Sequence, residues 1–202
     1  MSSWHTPGRA ALREVGRGEA GEANKSLFPR EAVTTVRYAD PAAWVMATAI
    51  ALAVAPVREQ ASAARDRVAV LATSDHGPEE TIAALARAAR EGYSSPMRFP
   101  AGNPASLVGV PCILMGFRGP TLNLLMPPAD GVPVAWFMAG QWLQHDVARF
   151  VVAVACARRP DRGYLARAVV LGRGEAGGGP AGCDAEPAAM WMASLPDAAR
   201  QA

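Results

Sequence analysis

SPMRFPAGNPASLVGVPCILMGFRGPTLNLLMPPADG, residues 95–131, decides how the rest of the chain is read. Pro96, Pro100, Pro104 and Pro111 each lack a backbone donor, and Gly102 and Gly109 weaken any helix, so no single long element runs through the first half. Short helices and turns laid over a sheet are the expectation there. Pro120–Met126, PTLNLLM, then reads as an apolar strand that Pro127-Pro128 stops abruptly. Asp130 follows as the cap of a helix with Pro133 in its first turn. Val132, Ala135, Trp136, Ala139, Trp142 and Leu143 give that helix a long apolar stripe, whose tryptophans read as core rather than as a ligand box.

Upstream, Arg67–Thr73 (RVAVLAT) is a compact apolar run suited to a strand covered on both faces. Ser74-Asp75-His76-Gly77-Pro78-Glu79-Glu80 joins it to a helix over 78–91, with capping side chains, a proline and acidic residues in the first turn. Ile82, Leu85 and Ala89 carry the apolar face of that helix, and Arg87 and Arg90 look outward. Asp40-Pro41 opens an earlier helix, with Asp as N-cap and Pro where its missing N–H costs nothing; Pro56 ends it. Trp44, Ala47, Ile50, Ala51 and Val54 share one stripe. Before it, Ala32–Arg37 holds β-branched Val33, Thr34, Thr35 and Val36 and predicts a short strand. Residues 1–29 show no sustained apolar period and predict a mobile arm.

Downstream, Ala148–Cys156 and Tyr164–Leu171 read as two more strands. A boundary falls near residue 173. Residues 174–202 predict a Gly-rich linker ending in a short helix that docks through Met190, Trp191 and Leu195. The alternation of strands and helices over residues 30–173 predicts an α/β domain, a mixed sheet of about five strands covered by helices.

The chain has 202 residues, 50% hydrophobic and 19% charged, which suits one globular domain. A net charge of +2 with scattered arginines leaves no basic stripe for nucleic acid. Pro41–Val57 falls short of the roughly 18 to 20 apolar residues that cross a bilayer and reads as a buried helix, not a membrane span. The first residues carry no apolar signal segment, so a cytoplasmic protein is expected. Cys112, Cys156 and Cys183 lie far apart, with no CxxC pair and no His at ligand spacing, which predicts reduced, buried thiols and no metal. No GxGxxG or Walker loop appears, so no cofactor is expected.

A few side chains qualify as candidates for chemistry. Asp75 and His76 stand at the C-terminal end of a strand, where open α/β sheets place ligands, with capping and solvation as the plainer role. Asp130 is either an acid or base near a pocket or a plain N-cap. His145 and Asp146 end a helix as a surface pair. Cys112 sits in apolar VPCIL, a packing context. Arg118 reads first as a structural partner for a carboxylate and second as a phosphate contact.

Ser95-Pro96, Phe99, Asn103-Pro104, Gly109 and Arg118-Gly119-Pro120-Thr121, followed by an apolar strand and a glycine that opens a helix, resemble the N-terminal half of a β-ketoacyl synthase, of the thiolase-like fold. The resemblance spans about residues 33–172. In that family the strand leads into a turn whose nucleophilic cysteine stands at a helix N-terminus, where the dipole favours thiolate. Counted from Gly119-Pro120, that position is Pro128. Its neighbours Met126, Pro127, Ala129, Asp130 and Gly131 keep only the glycine of the turn. Proline supplies neither the nucleophile nor the amide N–H on which the family's oxyanion hole draws. The C-terminal half bearing the family's catalytic histidines is unmatched, and the family's first strand is either missing or replaced by the unmatched arm.

The resemblance therefore implies a truncated, degenerate ketosynthase, a non-catalytic accessory protein of a polyketide or fatty-acid pathway. It would act as a homodimer, or as a heterodimer with a ketosynthase, with acyl carrier protein as a further partner. In the family the GP-containing strand lies near the dimer twofold, which makes Pro120, Thr121, Leu122, Asn123, Leu124, Leu125 and Met126 the interface candidates. A chain length factor, which resembles a ketosynthase that lost its cysteine, is a precedent in kind. The alternative is an enzyme or small-ligand binder that keeps the acyl pocket and uses Asp75, His76, Asp130 or Cys112 for other acyl-thioester chemistry.

Overall fold

A computed structural model describes residues 12–93, 95–159, 163–174 and 186–196. Cys183, residues 1–11 of the expected arm and most of the Gly-rich tail lie outside the described residues. Among the described residues five strands, β1 (Leu12–Ala20), β2 (Val68–Thr73), β3 (Thr121–Leu124), β4 (Phe150–Arg158) and β5 (Tyr164–Arg173), form one sheet in the order β1-β5-β4-β2-β3. β2 runs parallel to β3 and β4, and β5 runs antiparallel to β4 and β1. The helices are α1 (Arg30–Thr35), α2 (Pro41–Val54), α3 (Arg58–Ala63), α4 (Glu79–Arg90), α5 (Ser106–Met115), α6 (Pro128–Gln144) and α7 (Glu186–Ala193).

The two-residue period of the strands divides the core between the faces of the sheet. Val68, Val70 and Ala72 of β2 and Val152, Val154 and Cys156 of β4 pack with α2 and α5. Ala69, Leu71, Val151, Ala153 and Ala155 pack with α6 and α7. All six β2 residues are buried, which is why RVAVLAT shows no polar alternation. In α2 every residue except Pro41 and Leu52 is buried, its alanines allowing close approach to the sheet. Pro41–Ala63 is long and apolar enough to cross a membrane, yet 67% of its apolar window is buried inside the protein, as in a core helix.

Residues 12–20 correct the expected mobile arm. They form β1, paired with β5 from Leu12↔Arg173 to Ala20↔Ala166. The glycines that weaken LREVGRGEA as a strand are what its position requires. A Cβ on Gly16 would stand 2.1 Å from the Ala53 carbonyl oxygen, and one on Gly18 2.5 Å from that of Ala49, so β1 lies directly against the α2 backbone.

The strand expected over 32–37 is also corrected, because Arg30–Thr35 is helical. The Thr34 and Thr35 hydroxyls donate to the carbonyls of Arg30 and Glu31 at 2.9 and 3.0 Å, so the β-branched residues satisfy themselves within the turn. Asp40 caps α2 as expected and does more. Its carboxylate is fully buried, one oxygen accepting the Ala42 N–H and the other the Thr81 N–H, both at 2.9 Å. The start of α4, expected to be capped from the Ser74–Asp75 junction, is thus capped from 41 residues away.

The apolar face of α4 is not core either: Ile82 is 46% exposed and Leu85 half-buried. Between α4 and β3 lie a one-turn 3-10 helix, Phe99–Gly102, and α5, which holds Gly109 and Pro111 and ends at Gly116 with φ 72°. Met192 of α7 and Leu195 just beyond it are buried while Met190 is 67% exposed, so the helix docks through Met192 and not Met190.

Candidate functional site

The turn after β3 holds Pro128, the position to which the resemblance assigns the nucleophile. Pro127 takes the N-cap position of α6, and Pro128 is its first residue. The helix therefore starts two residues before the expected cap, and Asp130 lies exposed in the first turn, where it complements the dipole without capping. Pro128 retains the helix N-terminus that would favour a thiolate, and there is no thiol. Neither proline has an N–H, and the Asp130 and Gly131 amides both donate to the Pro127 carbonyl at 2.9 Å. A Cβ on Gly131 would stand 1.9 Å from Thr73 Oγ1, and the Thr73 hydroxyl donates to the Met126 carbonyl at 3.1 Å. The turn is thus packed tightly on the end of β2 and carries no thiol.

Asp75 is exposed, as the plainer reading expected, whereas His76 is drawn in and neither side chain caps α4. His76 Nδ1 meets Asp75 Oδ1, and the imidazole side chain is 9% exposed. Its ring faces Tyr164 with centroids 5.5 Å apart. Ser74 Oγ and His76 Nε2 are buried without a hydrogen-bond partner, and the buried Tyr164 hydroxyl lies near Glu80. Burial first, and the Asp40 and Glu80 carboxylates next, push the Tyr164 phenol above its ordinary value. Cys156 lies in the same layer, its thiol pushed up by burial and then by Asp40 and Asp75. This constellation is polar, with Asp40, Ser74, Cys156 and Tyr164 buried and Asp75 and Glu80 exposed at its rim. Sequence reasoning found Asp75 and His76 from strand-end position but missed Asp40 and Tyr164, which come from other elements.

The remaining candidates stand apart. Among the described residues no hydrogen bond or ion pair joins Asp130 or Cys112 to the Asp75–His76 pair. Cys112 is half-buried on α5, and burial pushes its thiol from 9.0 up to about 11, so it stays protonated at neutral pH. Asp146 adopts φ 59° and pairs with Arg67 at 2.5 Å, a correction to the expected His145–Asp146 pair. Arg118 stands 3.9 Å from Asp66 on the surface. Trp136 and Trp142 pack partly buried against the core. Among the described residues no three His, Cys, Asp or Glu side chains are grouped to hold a metal ion.

β3 is one edge of the sheet. Val70 N–H donates to the Pro120 carbonyl at 3.0 Å and Ser74 N–H to the Leu124 carbonyl at 3.1 Å. With the Val70↔Thr121 and Ala72↔Asn123 register, the even-numbered residues of β3 bond to β2. The backbone N–H and C=O groups of Thr121 and Asn123 therefore point away from the sheet. Thr121 is exposed, its three successors are half-buried, and Leu125 beyond them is 53% exposed.

No protein-family model and no curated protein sequence matches the chain. Solved structures do. A chain of the ishigamide ketosynthase/chain length factor shares 13% identity at TM-score 0.62, covering 84% of this chain and 64% of that one. A chain of the AntDE:AntF complex, a type II PKS acyl-carrier protein with its ketosynthase, shares 14% at TM-score 0.62, covering 82% and 64%. A chain of the ketosynthase ApeO in complex with its chain length factor ApeC, from Xenorhabdus doucetiae, shares 14% at TM-score 0.61, with 92% of both chains covered. The protein thus has the thiolase-like α/β fold of ketosynthases. It spans 64% of the length of the first two chains and 92% of the third.

Proposed function

We propose that this protein is a non-catalytic, ketosynthase-like subunit of a polyketide or fatty-acid-type pathway, which acts by pairing its β3 edge with a ketosynthase or a second copy of itself. The observation that carries the reading is the open edge itself, four residues, TLNL, without a charge to blunt them. Thr121 and Asn123 direct two N–H and two C=O groups outward, enough for four hydrogen bonds to an antiparallel strand centred on Leu122. Pro128 in place of a nucleophile supports the non-catalytic part. Likeness in fold to chains from ketosynthase/chain length factor complexes supports the pairing, and the acyl carrier protein in one of those complexes supports it as a third member.

Light scattering after size exclusion, on the protein alone and mixed with candidate ketosynthases from its own gene neighbourhood, tests the reading. A dimer or a heterodimer is expected. A monomer that ignores every such partner contradicts it.

A further inference from the structure

Two grooves meet on the α2–α5 side of the sheet, whereas α6 and the Pro127-Pro128 turn lie on the other side. The first, of about 510 Å³, is bordered by Arg37, Arg87, Arg98 and Arg158 with Glu79 and Glu80. The second, of about 630 Å³, is bordered mainly by apolar groups, among them Val36, Met97, Pro100, Ala101, Val110 and Ile113. Arg37, Tyr38 and Ala39 line both, so the cationic groove continues into the apolar one. Each is of a size that holds a small-molecule ligand.

Glu79 holds Arg158 at 2.5 Å. Among the described residues no carboxylate pairs with Arg37, Arg87 or Arg98. Arg37 and Arg98 both lie against the Tyr38 ring, their guanidinium carbons 4.8 and 5.7 Å from its centroid. Stacking fixes the plane of a guanidinium and leaves its N–H edge available, the arrangement that takes a carboxylate or phosphate. In the apolar groove Met97 is 63% and Ile113 51% exposed. A Cβ built on Gly109 meets nothing within 4 Å, so the groove is open down to the α5 backbone.

We propose that the double groove binds an acyl chain carrying an anionic head, with the head at Arg37 and Arg98 and the chain along α5 toward Ile113. Charge selects the head, since Arg37 and Arg98 form no ion pair among the described residues and the four arginines of the groove outnumber Glu79 and Glu80, and exposed apolar area selects the chain. The site uses neither the β3 edge nor the degenerate turn, so it stands or falls independently of the pairing reading.

Isothermal titration calorimetry on the full chain tests it with dodecanoate, dodecanoyl-coenzyme A, coenzyme A and dodecanol as probes. A charged acyl probe should bind one-to-one, with dodecanol and coenzyme A at least about tenfold weaker. Binding of the thioester alone assigns the head to phosphate, and binding of dodecanoate as well assigns it to any anion. Gly109→Leu fills the apolar groove with a better helix former, so binding should weaken by about tenfold or more with no fall in Tm. The pair Arg37→Ala and Arg98→Ala should weaken the charged probes by about tenfold and leave dodecanol unchanged. Equal binding by wild type and Gly109→Leu, or no saturable binding of either charged acyl probe up to about 1 mM, overturns the proposal.

Discussion

The sheet has two edges, and they are finished differently. β1 is nine residues long and carries Arg13, Glu14, Arg17 and Glu19, with Arg17 on Glu14 and Arg167 on Glu19 at 2.6 Å. Its glycines press it onto the backbone of α2. β3 is four residues long and uncharged, and it ends beside an exposed leucine. Charge and a covering helix are what natural sheets use to keep an edge from pairing. The β1 edge carries charges and the β3 edge carries none, while a helix lies on a face of each strand, α2 on β1 and α5 on β3. One edge is tied into the fold, and the other is the edge that the proposed pairing would use.

If the β1 edge is structural, its contact with α2 should be the costliest to disturb. In Gly18→Val the new Cβ meets Ala49 O, Ala53 N and Leu52 Cβ at 2.5 to 2.7 Å. A loss of about 3 kcal/mol, or roughly 10 °C in Tm, is expected by thermal circular dichroism. A wild-type Tm would mean that β1 does not seat there. Removing the support of α2 comes next. Asp40→Ala leaves both the Ala42 and Thr81 amides without an acceptor and should cost about 2 kcal/mol in urea unfolding. Asp40→Asn keeps an acceptor and should cost about half as much.

The open edge should respond in the opposite sense. Thr121→Pro removes an outward N–H and leaves the ladder to β2 intact, so stability should change by less than about 1 kcal/mol while the assembled mass falls to that of a monomer. Retained assembly in that variant would erase the distinction between the edges. Pro128→Cys should restore no condensation of acyl thioesters, because His76 faces Tyr164 and His145 closes the far end of α6. Product detected by mass spectrometry would show catalytic capacity that this account denies.

The smallest effect is at Cys112, whose thiol burial moves from 9.0 to about 11. The folded protein holds that proton where the unfolded chain has released it, so stability is unaffected below about pH 9 and declines as pH rises toward 11. Iodoacetamide at pH 8 should label Cys112 far more slowly than in urea, and equal rates would contradict its burial.

How much of this was legible in the sequence depends on where each signal resides. The buried strands and the long helices were legible, because RVAVLAT, the Asp40-Pro41 cap and the Val132–Leu143 stripe are local patterns. β1 was not, since its glycines answer to the backbone of α2, a contact between distant residues. The strand expected over 32–37 failed because threonine hydroxyls bonding back to helix carbonyls offset β propensity. At the turn, Pro128 could be found by counting from Gly119-Pro120, whereas the start of α6 two residues before Asp130 could not. The His76, Tyr164 and Asp40 group draws on three separated segments, so only Asp75 and His76, adjacent in sequence, stood out beforehand. Asp40 as the cap of α4 lay beyond any local rule.

Residue-resolved amide hydrogen exchange, on the protein alone and in its assembly, tests the central claim most directly. The Leu122 and Leu124 amides point to β2 and should be slow in both states. The Thr121 and Asn123 amides should exchange fast alone and become protected on assembly. If they stay fast in an assembly that forms, the partner sits elsewhere and the open edge is not the interface.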